Sequence, residues 1–117
     1  MKAKVYHLST CNTCKRIIAE LPLDKLDLQD IKTDKITAEQ LDEMRQLAGS
    51  YEALFSRRSR QFRPRGLHEK NLTEADYRDL MLEEYTFLKR PVIVYGDKIF
   101  IGNAKKEVEG AREALDD

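Results

Sequence analysis

Apolar and polar positions along the chain change period several times, and each change marks the boundary of a predicted element. Residues 2–8 predict a strand, residues 11–21 carry apolar side chains at helical spacing, and residues 25–28 alternate as a second strand does. Ser9-Thr10 offers N-cap chemistry for the helix, and Pro22 stops its propagation. Strand, helix and strand with short links predict a βαβ unit with parallel strands and a right-handed crossover.

The middle of the chain has helical periodicity. Thr37 and Gln40 form a capping-box pattern, and the apolar residues that follow at helical spacing run to Gly49. Thr73 begins another helix, with Asp76 three residues later as its capping partner. We therefore expect several helices in this part of the chain, connected by loops.

The last quarter of the chain predicts a hairpin and a helix. Residues 92–95 are a compact apolar run, Gly96-Asp97 is a two-residue turn signal, and residues 98–101 give the return strand before an amphipathic helix. The order β-α-β, helices, β-β-α predicts an α/β fold of the thioredoxin-like type with a mixed sheet. We expect a single domain, 1–117, with a helical insertion at approximately 37–88 between the second and third strands.

Composition narrows the class of protein. With 41% hydrophobic and 36% charged residues, the chain resembles neither disordered nor membrane-spanning proteins. No apolar run approaches the ~20 residues of a spanning helix. The N-terminus enters the first strand without the apolar region of a signal peptide, so we expect a cytoplasmic protein.

Charge is balanced overall but unevenly distributed. The formal net charge is zero, which points to no partner by itself. Five arginines lie within nine residues: Arg57, Arg58, Arg60, Arg63 and Arg65. This cluster could bind an anionic ligand, a nucleic acid or an acidic partner, but for most of the five a solvated loop and helix face is the favoured interpretation.

Cys11 and Cys14 are the only two cysteines, and they stand at the junction between the first strand and the first helix. Unpaired N–H groups and the dipole at a helix start favour negative charge and lower a thiol pKa. The i, i+3 spacing puts both side chains on one face, with Cys14 one turn deeper and less acidic. We expect Cys11 to attack as a thiolate and Cys14 to resolve the product; two inert, packed thiols are the alternative.

Zinc binding has weaker support than redox chemistry. His7, Cys11 and Cys14 supply three ligands at best, and His68 would have to complete the four that a structural zinc site needs. We therefore expect no metal site and no histidine acting as the base for Cys11.

Four segments together carry a family resemblance that runs nearly end to end. They are residues 6–16 (YHLSTCNTCKR), Ser56-Arg57-Arg58-Ser59 in the inserted region, residues 88–94 (LKRPVIV), and the closing Ile101-Gly102 turn. The chain resembles the family that groups glutaredoxin-coupled arsenate reductases with the Spx transcriptional regulators.

The resemblance implies a thioredoxin fold and roles for individual residues. It implies a reactive Cys11 and an Arg90 that holds an anion or the thiolate near Cys11, and we expect Cys11, Cys14 and Arg90 to be the catalytic residues. It also implies that Pro91 is a cis-proline opposite the redox site. Substrate-binding or thiolate-stabilising roles fall to four residues: Arg58, Pro91, Thr10 and Asn12.

Two departures from the reductase pattern bear on the substrate. Single-cysteine arsenate reductases have a different residue where Cys14 stands, and they place a further arginine after the last strand, where this chain has Ile101-Gly102-Asn103. Both departures point away from efficient arsenate reduction and towards the C-x-x-C, Spx-like side of the family.

Two functions from different classes follow. The first is a thiol-dependent oxidoreductase that reduces arsenate, another oxyanion or a disulfide, holds no bound cofactor, and takes electrons from glutathione, glutaredoxin or thioredoxin. The second is an Spx-like regulator that binds RNA polymerase through a Cys11–Cys14 switch. We expect neither direct nucleic-acid binding nor a membrane partner. A structural domain with vestigial cysteines is a third alternative.

Overall fold

The computed structural model describes residues 1–116, which form two compact units. The first, here called the sheet unit, combines residues 1–35 with the described residues from Arg90 onwards. The second, here called the helical unit, is residues 36–89. The assignment of the whole chain to one domain stays a prediction, and residue 117 lies outside the described residues.

The sheet unit contains a four-stranded mixed sheet and two helices. Its elements are β1 (Ala3–His7), α1 (Asn12–Ala19), β2 (Leu26–Asp30), β3 (Val92–Tyr95), β4 (Lys98–Ile101) and α4 (Lys105–Leu115). The strand order is β2-β1-β3-β4, with β1 parallel to β2 and the other pairs antiparallel. The predicted α/β class and the parallel strands joined through α1 are therefore confirmed. The tight turn at Gly96-Asp97 joins β3 to β4, as the sequence predicts.

An apolar core packs α1 and α4 against the sheet. Its buried members come from three strands, the two helices and the end of the α1 segment: Ala3, Val5, Ile17, Leu21, Leu26, Ile93, Ala111 and Leu115. Full burial of one Leu or Ile side chain stabilises a fold by roughly 1.5–3 kcal/mol. Because Ile17 belongs to this core, the position of α1, and of the cysteines at its start, is set by packing.

The first helix begins later than the sequence predicts. Cys11 is the N-cap residue of α1, with φ −92° and ψ 115°, and the helix itself starts at Asn12. Ser9 is not the cap, because its hydroxyl donates to the carboxylate of Asp30 at the end of β2. The expected N-cap role of Ser9-Thr10 is therefore wrong, and Cys11 lies just before the first turn rather than within it.

The second strand is also shifted relative to the prediction. It runs over Leu26–Asp30 rather than residues 25–28. Leu26 and Gln29 are buried while Leu28 is 41% exposed, so simple alternation does not hold. The Gln29 side-chain amide donates to the Asp34 carbonyl at 3.0 Å, which satisfies part of the buried polar group.

The helical unit contains α2 (Ala38–Ala48) and α3 (Glu74–Glu83), with short 3₁₀ turns between and after them. Both predicted capping boxes are confirmed. The Thr37 hydroxyl accepts from the Gln40 N–H, and the Thr37 N–H donates to the Gln40 side chain, each at 3.1 Å. Thr73 and Asp76 exchange the same two bonds. Within the described residues, every helix is too short or too polar to span a bilayer.

Candidate active site

Cys11 is held by the backbone on both sides. Its N–H donates to the Leu8 carbonyl at 3.1 Å, and its own carbonyl accepts from the Lys15 N–H at 3.0 Å. The residue is partly exposed, and both it and Cys14 are free cysteines. The sulfur therefore stands at a fixed place beside the N–H groups of the first turn of α1, where negative charge is favoured.

Local donors lower the pKa of the Cys11 thiol. Burial opposes this by raising the pKa, but the backbone N–H and the thiol of Cys14, the backbone N–H of Thr13 and the charge of Arg90 outweigh it. Each of these groups stabilises the thiolate more than the thiol. The predicted reactive thiolate thus has a definite physical basis at this position.

Cys14 has the opposite character. It is fully buried, and burial together with the hydrogen bond to Cys11 and the charge on Cys11 raises its pKa to about 11. The Leu8 N–H and Arg90 act in the other direction without reversing the shift. The result is an acidic, partly exposed thiol next to a buried, weakly acidic one that can donate a hydrogen bond to it.

Strand pairing in the sheet brings Arg90 close to the cysteines. It lies two residues before the start of β3, and β3 lies beside β1, whose carboxyl end leads to Cys11. The Arg90–Pro91 peptide bond is cis, as the resemblance implies. The Pro91 carbonyl accepts from the Gly102 N–H at 2.8 Å, which ties this corner to the end of β4. Arg90 is therefore brought to the thiols by strand pairing across about eighty residues of sequence.

The other predicted site residues are placed but their roles stay predictions. Thr10 and Asn12 flank Cys11 and are exposed, and Pro91 is buried. Arg58 belongs to the helical unit, where its side chain is exposed and its N–H donates to the Ser56 hydroxyl at 3.3 Å.

The sequence predicts N–H donors at the helix start in general, but it indicates neither the Leu8 N–H nor the acidic group of Asp30. The N–H groups of Thr13 and Leu8 act on the two thiols, and a helix start after a strand was the signal for the first. The Ser9 hydroxyl is the main cause that holds the pKa of Asp30 below its usual value, and His7 also contributes. In residues 1–116, histidine, cysteine and carboxylate side chains form no group of three or more that could hold a metal.

The fold and the site define a thioredoxin-like protein with a cysteine pair at the start of its first helix. Residues 6–111 match the model of the ArsC family, and the chain therefore belongs to this family. The resemblance to the arsenate reductase family is confirmed at this level.

Solved structures agree with this assignment. An arsenate reductase (ArsC) related protein from Brucella melitensis is 28% identical, with a TM-score of 0.70 over 94% of this chain and 93% of that one. An arsenate reductase from Vibrio cholerae shares the fold at 18% identity, with a TM-score of 0.74 over 98% of each chain. The predicted thioredoxin-like fold is thus confirmed. No curated protein matches the chain.

Proposed function

We propose that the protein is a thiol-dependent oxidoreductase in which Cys11 is the nucleophile and Cys14 the resolving thiol. The observation that carries the proposal is the opposite displacement of two neighbouring thiols: the pKa of Cys11 is lowered, and that of Cys14 is raised to about 11. Because the thiolate is the reacting form, this arrangement decides which sulfur attacks first.

The steps for a disulfide substrate balance without further reagents. The Cys11 thiolate attacks one substrate sulfur, a mixed disulfide forms, and the other substrate sulfur leaves as a thiolate that takes up a proton. Cys14 then loses its proton and attacks the Cys11 sulfur, which releases the second substrate thiol and leaves a Cys11–Cys14 disulfide. The substrate gains two electrons and the cysteine pair loses them.

The hydrogen bond between the thiols supports this order. While Cys11 is a thiolate, its charge and the hydrogen bond that it accepts keep the proton on Cys14. Once Cys11 is bonded to substrate sulfur, that charge is gone and two causes of the raised Cys14 pKa disappear with it. Cys14 is thereby released to ionise and attack only after the first step.

An oxyanion such as arsenate fits the same sulfur chemistry. The Cys11 thiolate displaces hydroxide from arsenic(V); attack of Cys14 on the Cys11 sulfur then leaves the bonding pair on arsenic, which departs as arsenic(III). The start of α1 and Arg90 offer donors for the anion. The segment 101–103 carries no arginine, and this favours a disulfide over arsenate as substrate.

The oxidised pair must be reduced after each turnover. A dithiol protein of the thioredoxin or glutaredoxin type, or two molecules of glutathione, would return the two electrons by thiol–disulfide exchange. This donor assignment fits a reducing cytoplasm, where a close cysteine pair is catalytic or redox-sensing more often than structural. No bound cofactor enters the scheme.

Trapping the mixed disulfide tests the mechanism. Cys14→Ser is expected to accumulate one covalent adduct on Cys11 when mixed with glutathione disulfide, because the resolving thiol is missing, and wild type is expected to form the internal disulfide instead. Cys11→Ser is expected to lose turnover of bis(hydroxyethyl) disulfide and of arsenate with glutathione as reductant. Intact-mass spectrometry and coupled NADPH oxidation measure these results. Turnover that survives Cys11→Ser contradicts the proposal.

The Spx-like regulator is the second candidate, and the presence of Cys14 favours it. In that case the Cys11–Cys14 pair switches between dithiol and disulfide without turnover, and RNA polymerase is the partner. Co-purification with polymerase that changes on oxidation, and that becomes insensitive to oxidation in Cys14→Ala, supports the regulator. Steady multiple turnover with no polymerase binding supports the enzyme.

A further inference from the structure

Residues 57–65, here called the arginine loop, carry five arginines and no carboxylate. The loop belongs to the helical unit and consists of consecutive turns rather than a helix. The proposed redox chemistry uses at most one of the five, Arg58. The five arginines fall into two groups, according to whether their guanidinium groups contact other side chains.

Two of the arginines are engaged within the helical unit. Arg57 donates to the Glu52 carboxylate at 2.9 Å and to the Tyr77 hydroxyl at 2.7 Å. Arg65 donates to the Glu83 carboxylate at 2.6 Å. These contacts lie at the two ends of the loop and hold it to the rest of the helical unit.

The centre of the loop is anchored as well. The hydroxyls of Ser59 and Thr86 form a hydrogen bond of 2.6 Å. Phe62 is buried, and its ring packs edge-to-face on Phe55 with the centroids 6.1 Å apart. The Leu67 N–H donates to the Phe62 carbonyl at 3.1 Å, which closes the last turn. These contacts hold the arginine loop in a defined conformation on the helical unit.

Arg58, Arg60 and Arg63 lie between these anchors and are exposed. Among the described residues, no hydrogen-bond or ion-pair partner is found for their guanidinium groups. Three like charges within six residues repel one another, and here the anchors keep them together instead of letting them separate. An anion that contacts more than one of them would relieve this repulsion and gain charge-assisted hydrogen bonds.

We infer that the arginine loop is a docking surface for an acidic polypeptide segment, with Arg60 and Arg63 as its principal contacts and Arg58 beside them. The inference goes beyond the proposed function, since it concerns a surface of the helical unit and not the cysteine pair. Extended acidic side chains suit forked guanidinium donors that are spaced along a loop.

A polypeptide fits this surface better than a nucleic acid does. The sequence pI is about 6.7 and the net charge is zero, whereas nucleic-acid-binding domains are strongly basic over a wide face. Binding to single strands also relies on exposed aromatic rings for stacking, and the one aromatic residue in the loop, Phe62, is buried.

The test measures binding of a fluorescent oligoglutamate peptide to the full chain by anisotropy at low and moderate salt. The variant Arg60→Gln/Arg63→Gln removes two charges, and Lys32→Gln/Lys35→Gln removes two exposed charges at the same three-residue spacing as a matched control. We expect about 2- to 30-fold weaker binding for the arginine variant, the range for two exposed ion pairs, and a wild-type affinity that falls with added salt.

The control pair and a second probe decide the outcome. Lys32→Gln/Lys35→Gln is expected to bind within about twofold of wild type, and both variants are expected to keep the wild-type unfolding temperature, because all four side chains are exposed. An equal loss in the lysine variant, or no loss in the arginine variant, overturns the inference. Tighter binding of oligothymidylate than of the peptide at equal salt and equal charge also overturns it.

Discussion

The relative weight of the groups around Cys11 can be tested by substituting them one at a time. The thiol of Cys14 donates directly to the Cys11 sulfur, whereas Arg90 acts through its charge and is the smaller cause of the lowered pKa. We therefore predict that Cys14→Ala raises the Cys11 pKa more than Arg90→Gln does. Cys14→Ser retains a hydroxyl donor and is expected to lie close to wild type.

The magnitude follows from what each substitution removes. A lost hydrogen bond costs about 1 kcal/mol, which is about fivefold in the acid dissociation constant. Because Cys11 is partly exposed, water replaces part of that bond, and we expect a two- to fivefold smaller thiolate population in Cys14→Ala below the Cys11 pKa. Loss of the Arg90 charge at a partly exposed site is expected to change it by about twofold or less.

Alkylation by iodoacetamide as a function of pH measures this population. Peptide mapping separates Cys11 from Cys14 in wild type and Arg90→Gln, and buried Cys14, with a pKa of about 11, is expected to react slowly there. A larger effect from Arg90→Gln than from Cys14→Ala would refute the argument that short-range donors dominate. A wild-type Cys11 that titrates near the ~8.5 of a free cysteine would refute the activated thiolate itself.

Three other substitutions test the supporting structure. Asp42→Asn is expected to lower the unfolding temperature at pH 7, because bonds from Arg78 hold the Asp42 pKa at about 2 and so stabilise the folded state. The difference should shrink as the pH falls from about 4 to 2, where Asp42 becomes protonated; a difference as large at pH 2 as at pH 7 contradicts this. Thr37→Ala is expected to cost about 1 kcal/mol in urea unfolding through the lost capping box, and an unchanged midpoint refutes it. Gly110→Ala is expected to destabilise the fold by about 1 kcal/mol despite the better helix propensity of alanine, because the new Cβ would lie 2.8 Å from the Phe100 ring. Phe100→Leu should relieve this loss, and a Gly110→Ala variant that is more stable than wild type contradicts the prediction.

Much of the secondary structure could be predicted because it depends on neighbours in sequence. The capping boxes at Thr37 and Thr73 need only residues three positions apart, and both form as predicted. The turn at Gly96-Asp97 is equally local. The secondary-structure predictions fail where a distant residue takes a hydrogen bond that the prediction assigned to a neighbour in sequence. Ser9 leaves the cap because Asp30 accepts its hydroxyl, and that partner is in place only once β1 and β2 have paired.

The candidate site likewise has features that depend on neighbours in sequence and features that depend on distant residues. The position of Cys11 at the start of a helix could be predicted, since the strand, the following helix and the cysteine spacing are all contained in residues 2–21. The chemical type of the site, a thiol stabilised by helix N–H groups, therefore came from local sequence.

The sequence predicts that the deeper Cys14 is the less acidic thiol, but only the tertiary structure decided how far the two thiols differ. Burial of Cys14 requires the sheet and α1 to pack together, and this burial is the largest cause of its raised pKa. The position of Arg90 requires β3 to pair with β1. The sequence by itself determined which sulfur lies at the helix start and which lies one turn deeper; long-range packing determined how strongly each sulfur holds its proton, because desolvation and charge depend on what surrounds a thiol and not on what precedes it in the chain.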